Sequence, residues 1–424
     1  AGAWCGQNKY LSAIKNAFQN FMPLTIAGAI GVLWCNVLVN DQTGLGLFFK
    51  PIMALDFLNP AFQAVNFCTI SCITVGITLG IAQEIGVWNM GAERAGYIPG
   101  LVGLAAWLSV TNTSHMVDGA KEAFTGIAGN ELGATGLFTG MIIGVLSVEL
   151  FCFFEKQDAL KIKMPEQVPP GVARAFEVLV PATITLIITA CIGSACYNLT
   201  GLYLNDVIKN GIQGPLGAVG ATIPGVMIIY LVIMLFWLVG IHGNNMLSAV
   251  KEALFTPLAL ENVEAFNKGE TPKNIINMYA LQMWGEFGGS GVTIGLVIAI
   301  MIFGKREDNK AIATLSLVPG LFNINETVTF GIPMVLNPIL GIPFVVAPLV
   351  TIIIGYVLTV IGFCPVACLT VPWTTPPIVF GFLACGANVM GAVTQAILIV
   401  VSTVIYVPFL ISYEKYQNKQ AAEA

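Results

Sequence analysis

The chain has 424 residues, of which 56% are hydrophobic and only 10% charged, with a formal net charge of −5 and a mean hydropathy of +0.82. Soluble domains carry roughly a quarter charged residues, and single cores stop growing at about 250–300 residues, so an ordinary soluble protein is excluded and an all-α integral membrane protein is implied. No basic tract or aromatic-studded basic face is present, which excludes nucleic acid as a partner.

The opening stretch AGAWCGQNKYLSAIKNAFQNF lacks the basic end, short apolar core and cleavage site of a signal peptide. Its apolar positions Tyr10, Leu11, Ile14, Ala17 and Phe18, set against Lys9, Lys15 and Asn16, predict a short amphipathic helix on the membrane surface. Charge-free windows follow at 16–40, 57–83, 95–117, 132–148 and 178–205, each able to supply the roughly 20 residues of a crossing. The segment between the last two, EKQDALKIKMPEQVPPGVARAFE, carries Lys156, Lys161, Lys163 and Arg174 and is therefore cytoplasmic by the positive-inside rule. Counting back places the amino terminus inside. Lys415 and Lys419, beside the last span, place the carboxyl terminus inside too, so the number of crossings is even.

Cys35, Cys68, Cys72, Cys191, Cys196 and Cys385 sit in apolar stretches and read as reduced packing residues. The pairs Cys68/Cys72 and Cys364/Cys368 have helical spacing but no His or carboxylate neighbours, so no metal site and no cofactor are expected. His115 reads as a boundary residue at the end of the third span.

Beyond residue 200 the pattern changes. A surface amphipathic linker, 201–220, divides an amino-terminal membrane domain, 1–200, from a carboxyl-terminal domain, 221–424, whose uncharged stretches are long and broken by Pro, Gly and Asn. From Ala311 to Tyr413 the only charged residue is Glu326, while Pro319, Pro333, Pro338, Pro343, Pro348, Pro365, Pro372, Pro376 and Pro377 interrupt the run. Interior proline frees a carbonyl that hydrocarbon cannot satisfy, which predicts re-entrant hairpins or broken helices beside a water-filled cavity.

Polar side chains gather at two such boundaries. GIHGNN at 240–245 holds His242, Gly243, Asn244 and Asn245, and LFNINET at 321–327 holds Asn325 and Glu326. Unpartnered, each buried polar group would cost roughly 2–7 kcal/mol, and an intramembrane carboxylate usually faces a cavity and works there; the bland alternative makes Glu326 an acceptor for hairpin amides. Paired donors and acceptors from Asn, Glu and neutral His suit sugar hydroxyls better than a fixed charge. Trp373 in CLTVPWTTPPIVFG has a face that can stack on a sugar ring beside Thr374 and Thr375, although packing or interfacial anchoring explains a tryptophan equally well. MWGEFGGSGVTIG at 283–295 places Glu286 and Ser290 among glycines, either for close helix packing or to line the sugar path.

Four stretches, KMPEQVPPGVARAFEVLVPA, WLVGIHGNNM, NINETVTFGIPMVLNPILGIPFVVAPL and LTVPWTTPPIV, resemble the membrane component, enzyme IIC, of bacterial phosphoenolpyruvate-dependent sugar phosphotransferase systems of the lactose/cellobiose/diacetylchitobiose family. The resemblance covers essentially the whole chain. It implies a homodimer in the bacterial cytoplasmic membrane, with about ten crossings, two re-entrant hairpins, an amino-terminal dimer contact and a carboxyl-terminal half that moves like an elevator with a β-linked disaccharide. It further implies partners IIA and IIB. A phosphocysteine of IIB phosphorylates the sugar 6-hydroxyl, His242 and Glu326 lie beside that hydroxyl as the catalytic pair, and Asn245 and Trp373 hold the rings, with Gly243, Asn244, Ser290 and Asn325 completing the binding set. Loop 156–174 is the expected IIB-facing surface, and no phosphoryl-carrying residue is expected in the chain itself.

Two other classes compete. A proton-coupled sugar carrier would use His242 and Glu326 as a relay. An intramembrane hydrolase is disfavoured, because no motif places a Ser or Cys beside a His.

Overall fold

The structure is a computed structural model that describes residues 8–41, 45–115, 124–165, 167–215, 220–332, 334 and 336–423. It is overwhelmingly helical, with one antiparallel pairing of two-residue strands, Ser114–His115 and Phe124–Thr125. The chain separates into two compact units, one built from Gly6–Gly28 and Ala64–Gly217, the other from Ala29–Gln63 and Ala218–Ala424.

The amino-terminal end enters as α1 (Lys9–Leu33), a single helix extended by a wide turn to Leu38. The expected surface helix and first span are thus one continuous element. In the first unit, α2 (Ile73–Met90) lies against α3 (Ile98–Val110) and α4 (Ala134–Glu155), and α5 (Pro170–Thr200) covers α3 and α4. One face of α2 is a buried ladder of Ile73, Ile77, Ile81 and Ile85 at every fourth residue. Small residues bring the axes together. A Cβ on Gly103 of α3 would lie 2.3 Å from Cβ of Ala82 on α2, and one on Gly140 of α4 would lie 2.2 Å from Thr78 Oγ1. This is how helices pack where lipid supplies no hydrophobic drive between them.

One end of this unit is tied by charge. The buried Glu155 carboxylate accepts from Arg94 Nε at 2.8 Å and Arg174 Nη1 at 2.9 Å, and Glu177 closes the ring on both arginines. Arg174, the last residue of the loop 156–174 expected to be cytoplasmic, lies in the first turns of α5 and is the strap that fastens them to the end of α4.

In the second unit α6 (Ile223–Leu238) packs on α7 (Gly243–Asn267). After α8 (Met278–Gly285), α9 (Ile294–Phe303) runs beside α10 (Glu307–Leu321); the short α11 (Glu326–Gly331) precedes α12 (Gly341–Val360), α13 (Val379–Ala384) and α14 (Val389–Glu423), the last lying against α9, α12 and α13. Trp237, Trp284, Tyr230, Phe287, Phe344 and Tyr406 form its buried aromatic centre.

Proline breaks this half less than its sequence suggests. The α12 helix contains Pro343 and Pro348 and the α14 helix Pro408, yet both are continuous. Pro343 is the third residue of α12, where a backbone N–H would have had no intrahelical acceptor, so no hydrogen bond is lost. Breaks fall at 322–325, 336–340 and 361–378, around Asn323, Leu336 and Ile378, which hold φ of 62°, 54° and 76°; Pro338, Pro365, Pro372, Pro376 and Pro377 lie within them, and Pro333 lies outside the described residues.

Side-chain amides supply the partners that these breaks need. Gln395 Oε1 accepts from the Ile378 and Gly381 amides at 2.7 and 2.8 Å while its Nε2 donates to Met283 O. Asn262 Oδ1 accepts from the Lys273 and Asn274 amides, and its Nδ2 donates to Asn274 O and Ala367 O.

Among the described residues five helices are long and apolar enough to cross a membrane, or six if the bent pair Lys50–Ser71 and Ile73–Met90 is one span; Ile98–Val110, Ile223–Leu238 and Ile294–Phe303 are shorter apolar helices. All five windows expected in the first half contain helix, the third only 13 residues of it. The cysteines differ from expectation: Cys68 and Cys191 are exposed, Cys35, Cys72 and Cys196 half-buried, and only Cys385 of the six named is inside.

The glycine contacts set a stability test. Gly103→Ala must push α3 off Ala82, an overpacking cost of about 1–3 kcal/mol, whereas Gly171→Ala, with nothing within 4 Å of its added Cβ, gains up to about 1 kcal/mol of helix propensity. Thermal melts of the two variants in detergent are expected to move in opposite directions.

Candidate functional site

The chain leaves α6 at Leu238 and turns at Gly240, whose φ is 80°. His242 is the residue that caps α7: its Nδ1 accepts from the Asn245 amide at 3.2 Å. That bond leaves the proton of a neutral ring on Nε2. The imidazole rests on the buried Trp237, ring centroids 4.4 Å apart, and Trp237 meets the edge of Phe344 at 6.3 Å. Next door only glycine fits, since a Cβ on Gly243 would lie 2.0 Å from Ile233 O.

His242 Nε2 faces Glu326 Oε1 at 3.9 Å. The gap is too long for a hydrogen bond and short enough that one oxygen atom, about 2.8 Å from each, would bridge both. Both side chains are open, 38% and 48% exposed respectively. Glu326 opens α11 and is carried there by Asn325, the residue before it.

A glycine-rich loop, 286–293, runs beneath. Its Ser290 hydroxyl accepts from Asn244 Nδ2 at 2.9 Å, and its Ser290 carbonyl accepts from Asn325 Nδ2 at 2.6 Å. Gly289, at φ 87°, lies so close to Asn325 that a Cβ would be 2.6 Å from its Cγ. The Gly288 amide donates to Asn323 Oδ1 at 2.6 Å, and Asn323 Nδ2 donates onward to the carbonyls of Trp373 and Thr375. Four stretches far apart in sequence are thereby wired into one constellation.

Within it the expected residues divide by exposure. His242, Asn245, Glu326 and Trp373 are open, whereas Gly243, Ser290 and Asn325 are buried and Asn244 is between. Asn245 enters the network through its backbone amide and Trp373 through its carbonyl, so for these two the wiring fixes the main chain and leaves the side chain outside it. Asn244 Oδ1 is buried and accepts no hydrogen bond from the described residues.

Sequence reasoning did not assign Asn323, although it joins the loop to the tryptophan segment. Its left-handed φ of 62°, tolerated by asparagine better than by most residues, was the missing signal. Also unforeseen is the pairing of Lys251 with Glu286, which Tyr230 joins by donating to the same carboxylate oxygen at 2.7 Å. Lys251 is 6% exposed. Among the described residues no three His, Cys, Asp or Glu side chains cluster as a metal site.

Comparison with known proteins places this geometry. Residues 15–348 match the family Phosphotransferase system, EIIC. The oligo-beta-mannoside-specific EIIC component of Bacillus subtilis strain 168 is 33% identical over 413 residues, covering 96% of this chain and 90% of that protein. The cellobiose-specific EIIC component of Lactococcus lactis subsp. lactis strain IL1403 is 30% identical over 474 residues, covering 98% and 96%. The crystal structure of the transporter ChbC, the IIC component of the N,N'-diacetylchitobiose-specific phosphotransferase system, superposes with a TM-score of 0.90 at 30% identity, covering 99% of this chain and 97% of that one. With its apolar helices and this agreement from end to end, the chain is a multi-pass membrane protein and belongs to the EIIC family of the phosphotransferase system.

Proposed function

We propose that this protein binds a β-linked disaccharide on one side of the bacterial cytoplasmic membrane, carries it across and presents its 6-hydroxyl to a phosphorylated IIB subunit. The observation that carries the reading is the open His242–Glu326 pair, 3.9 Å apart, at the junction of four backbone-wired stretches. A sugar hydroxyl between them donates to the Glu326 carboxylate and accepts from Nε2–H of His242, which raises the nucleophilicity of its oxygen and orients it for attack on phosphorus. The hydroxyl proton passes to Glu326 or, by way of it, to solvent; the phosphoryl group leaves the IIB sulfur. A second hydroxyl donating to Asn244 Oδ1 would satisfy that buried acceptor, and the open face of Trp373 offers a stacking platform.

The substrate class follows from the relatives, whose names specify oligo-beta-mannosides, cellobiose and diacetylchitobiose. A further relative, from Streptococcus mutans serotype c, is a lactose-specific EIICB component, 32% identical, and this chain covers 98% of itself but 71% of that protein. Its name joins a B part to the C part, which supports IIB as the phosphoryl donor here, with IIA upstream. In this reading the protein is a homodimer with both termini cytoplasmic and about ten crossings. The breaks around 286–293 and 322–325 are the tips of two re-entrant hairpins, and the site-bearing half travels as an elevator.

Reconstituted vesicles containing phosphorylated IIB decide the matter: radiolabelled cellobiose supplied outside should appear inside as sugar phosphate. Unmodified sugar accumulating with a proton gradient would instead favour a proton-coupled carrier. Glu326→Gln should slow phosphoryl transfer by roughly 100-fold while the protein still folds; wild-type rates would remove Glu326 from the mechanism. Gly243→Ala, which drives a methyl group into Ile233 O, should displace the His242 cap and weaken disaccharide binding at least about tenfold, equivalent to about 1.4 kcal/mol, as read by equilibrium binding to purified protein.

A further inference from the structure

Three ionisable or polar side chains that sugar chemistry does not use sit deep in the same unit. Lys251 and Glu286 form an ion pair with side chains 7% and 17% exposed, and Tyr230 of α6 donates to the same carboxylate oxygen at 2.7 Å. The ammonium also stands 5.5 Å from the centre of the Tyr230 ring. A buried pair of this kind is costly to desolvate and is weak evidence for stability; its best-attested use is to fix register. Glu252, the next residue on α7, is half-buried and accepts from Thr256 Oγ1, so ionisable groups are concentrated at this one point of an interior made mostly of apolar, aromatic and amide side chains, and they need an explanation.

Spacing supplies one. Asn244 and Lys251 are seven residues apart on α7, hence on one face and about 10.5 Å apart along its axis. Their partners Ser290 and Glu286 are four residues apart in non-helical chain, which spans at most about 14 Å. Lys251–Glu286 and Asn244–Ser290 are therefore successive rungs of one antiparallel ladder between α7 and the glycine-rich loop. Between the rungs lie Gly288 and Gly289, which have positive φ and no side chain to pin them. Those two residues carry the Gly288 amide that binds Asn323 and the close approach to Asn325.

We infer that Lys251, Glu286 and Tyr230 are positioning residues: a charge-balanced clasp that sets the register of loop 286–293 on α7 and so places Ser290, Asn325 and, through them, Glu326 opposite His242. The effect on sugar binding rests on the function proposed above; the clasp itself does not.

Two measurements on the purified full chain test it, amide hydrogen exchange across 286–293 and equilibrium binding of radiolabelled cellobiose. Lys251→Met and Glu286→Gln should each speed exchange in the loop and weaken binding at least about tenfold, because each leaves an unpaired buried group. The neutral pair Lys251→Met/Glu286→Gln, whose amide oxygen still accepts from the Tyr230 hydroxyl, should bring both readouts back to within about threefold of wild type, since neither member of the pair is left without its partner; the charge-exchanged pair Lys251→Glu/Glu286→Lys serves if the neutral pair does not fold. In the Glu286→Gln background, Ser290→Ala should add less than about twofold, the non-additivity of groups acting through one contact. Unchanged exchange in both single variants overturns the clasp, and so does restored exchange with binding still lost, which would make Glu286 a sugar ligand. If wild-type protein binds no β-disaccharide, the function proposed above falls, and exchange alone decides the clasp.

Discussion

Hydrocarbon offers no hydrogen bonds, and the site-bearing unit is organised around that fact. At three places where its chain departs from regular helix, an asparagine or glutamine side chain reaches in to pair the exposed backbone: Gln395 for Ile378 and Gly381, Asn262 for Lys273, Asn274 and Ala367, Asn323 for Gly288, Trp373 and Thr375. Each of these amides presents a donor and an acceptor on one short arm, so it can serve an N–H and a C=O of different segments at once. Non-helical backbone inside a membrane protein persists only where protein or water satisfies it. Here side-chain amides do so for the segments that surround the site.

Precision at the site follows from the same wiring. His242 is held by an amide of its own helix and by Trp237 behind it, and Asn325, the residue before Glu326, is tied to the Ser290 carbonyl. The two side chains are thus aimed by buried neighbours while remaining open themselves. The amides around the pair offer donors and acceptors of the kind that hydroxyl groups can match.

The other unit solves a different problem. Its helices are packed through Gly103, Gly140 and a ladder of isoleucines, and at one end Glu155 is shared by Arg94 and Arg174. That construction gives close, regular contact along the helices, with few breaks to satisfy.

Much of this was legible in the sequence. Low charge and high hydropathy sufficed for the membrane class, because lipid penalises every unpaired polar group in the same way whatever the fold. The isolated Glu326 and the cluster at 242–245 stood out for the same reason, and family resemblance placed them together before any coordinates did. Prolines marked the breaks in part, because the cost of a proline depends on its place: Pro338, Pro365, Pro372, Pro376 and Pro377 lie in broken segments, whereas Pro343 in a first turn is harmless and α12 continues through Pro348. Glu286 was legible only as a member of a glycine-rich stretch and its pairing with Lys251 not at all, since a charge and its partner 35 residues away are recognisable as a pair only once α7 and the loop are side by side. The sequence by itself determined that this chain lives in a membrane and which few polar residues must find company there. Which partner each one found was decided by tertiary structure, because hydrogen bonds and ion pairs act over about 3 Å and only folding brings distant segments that close.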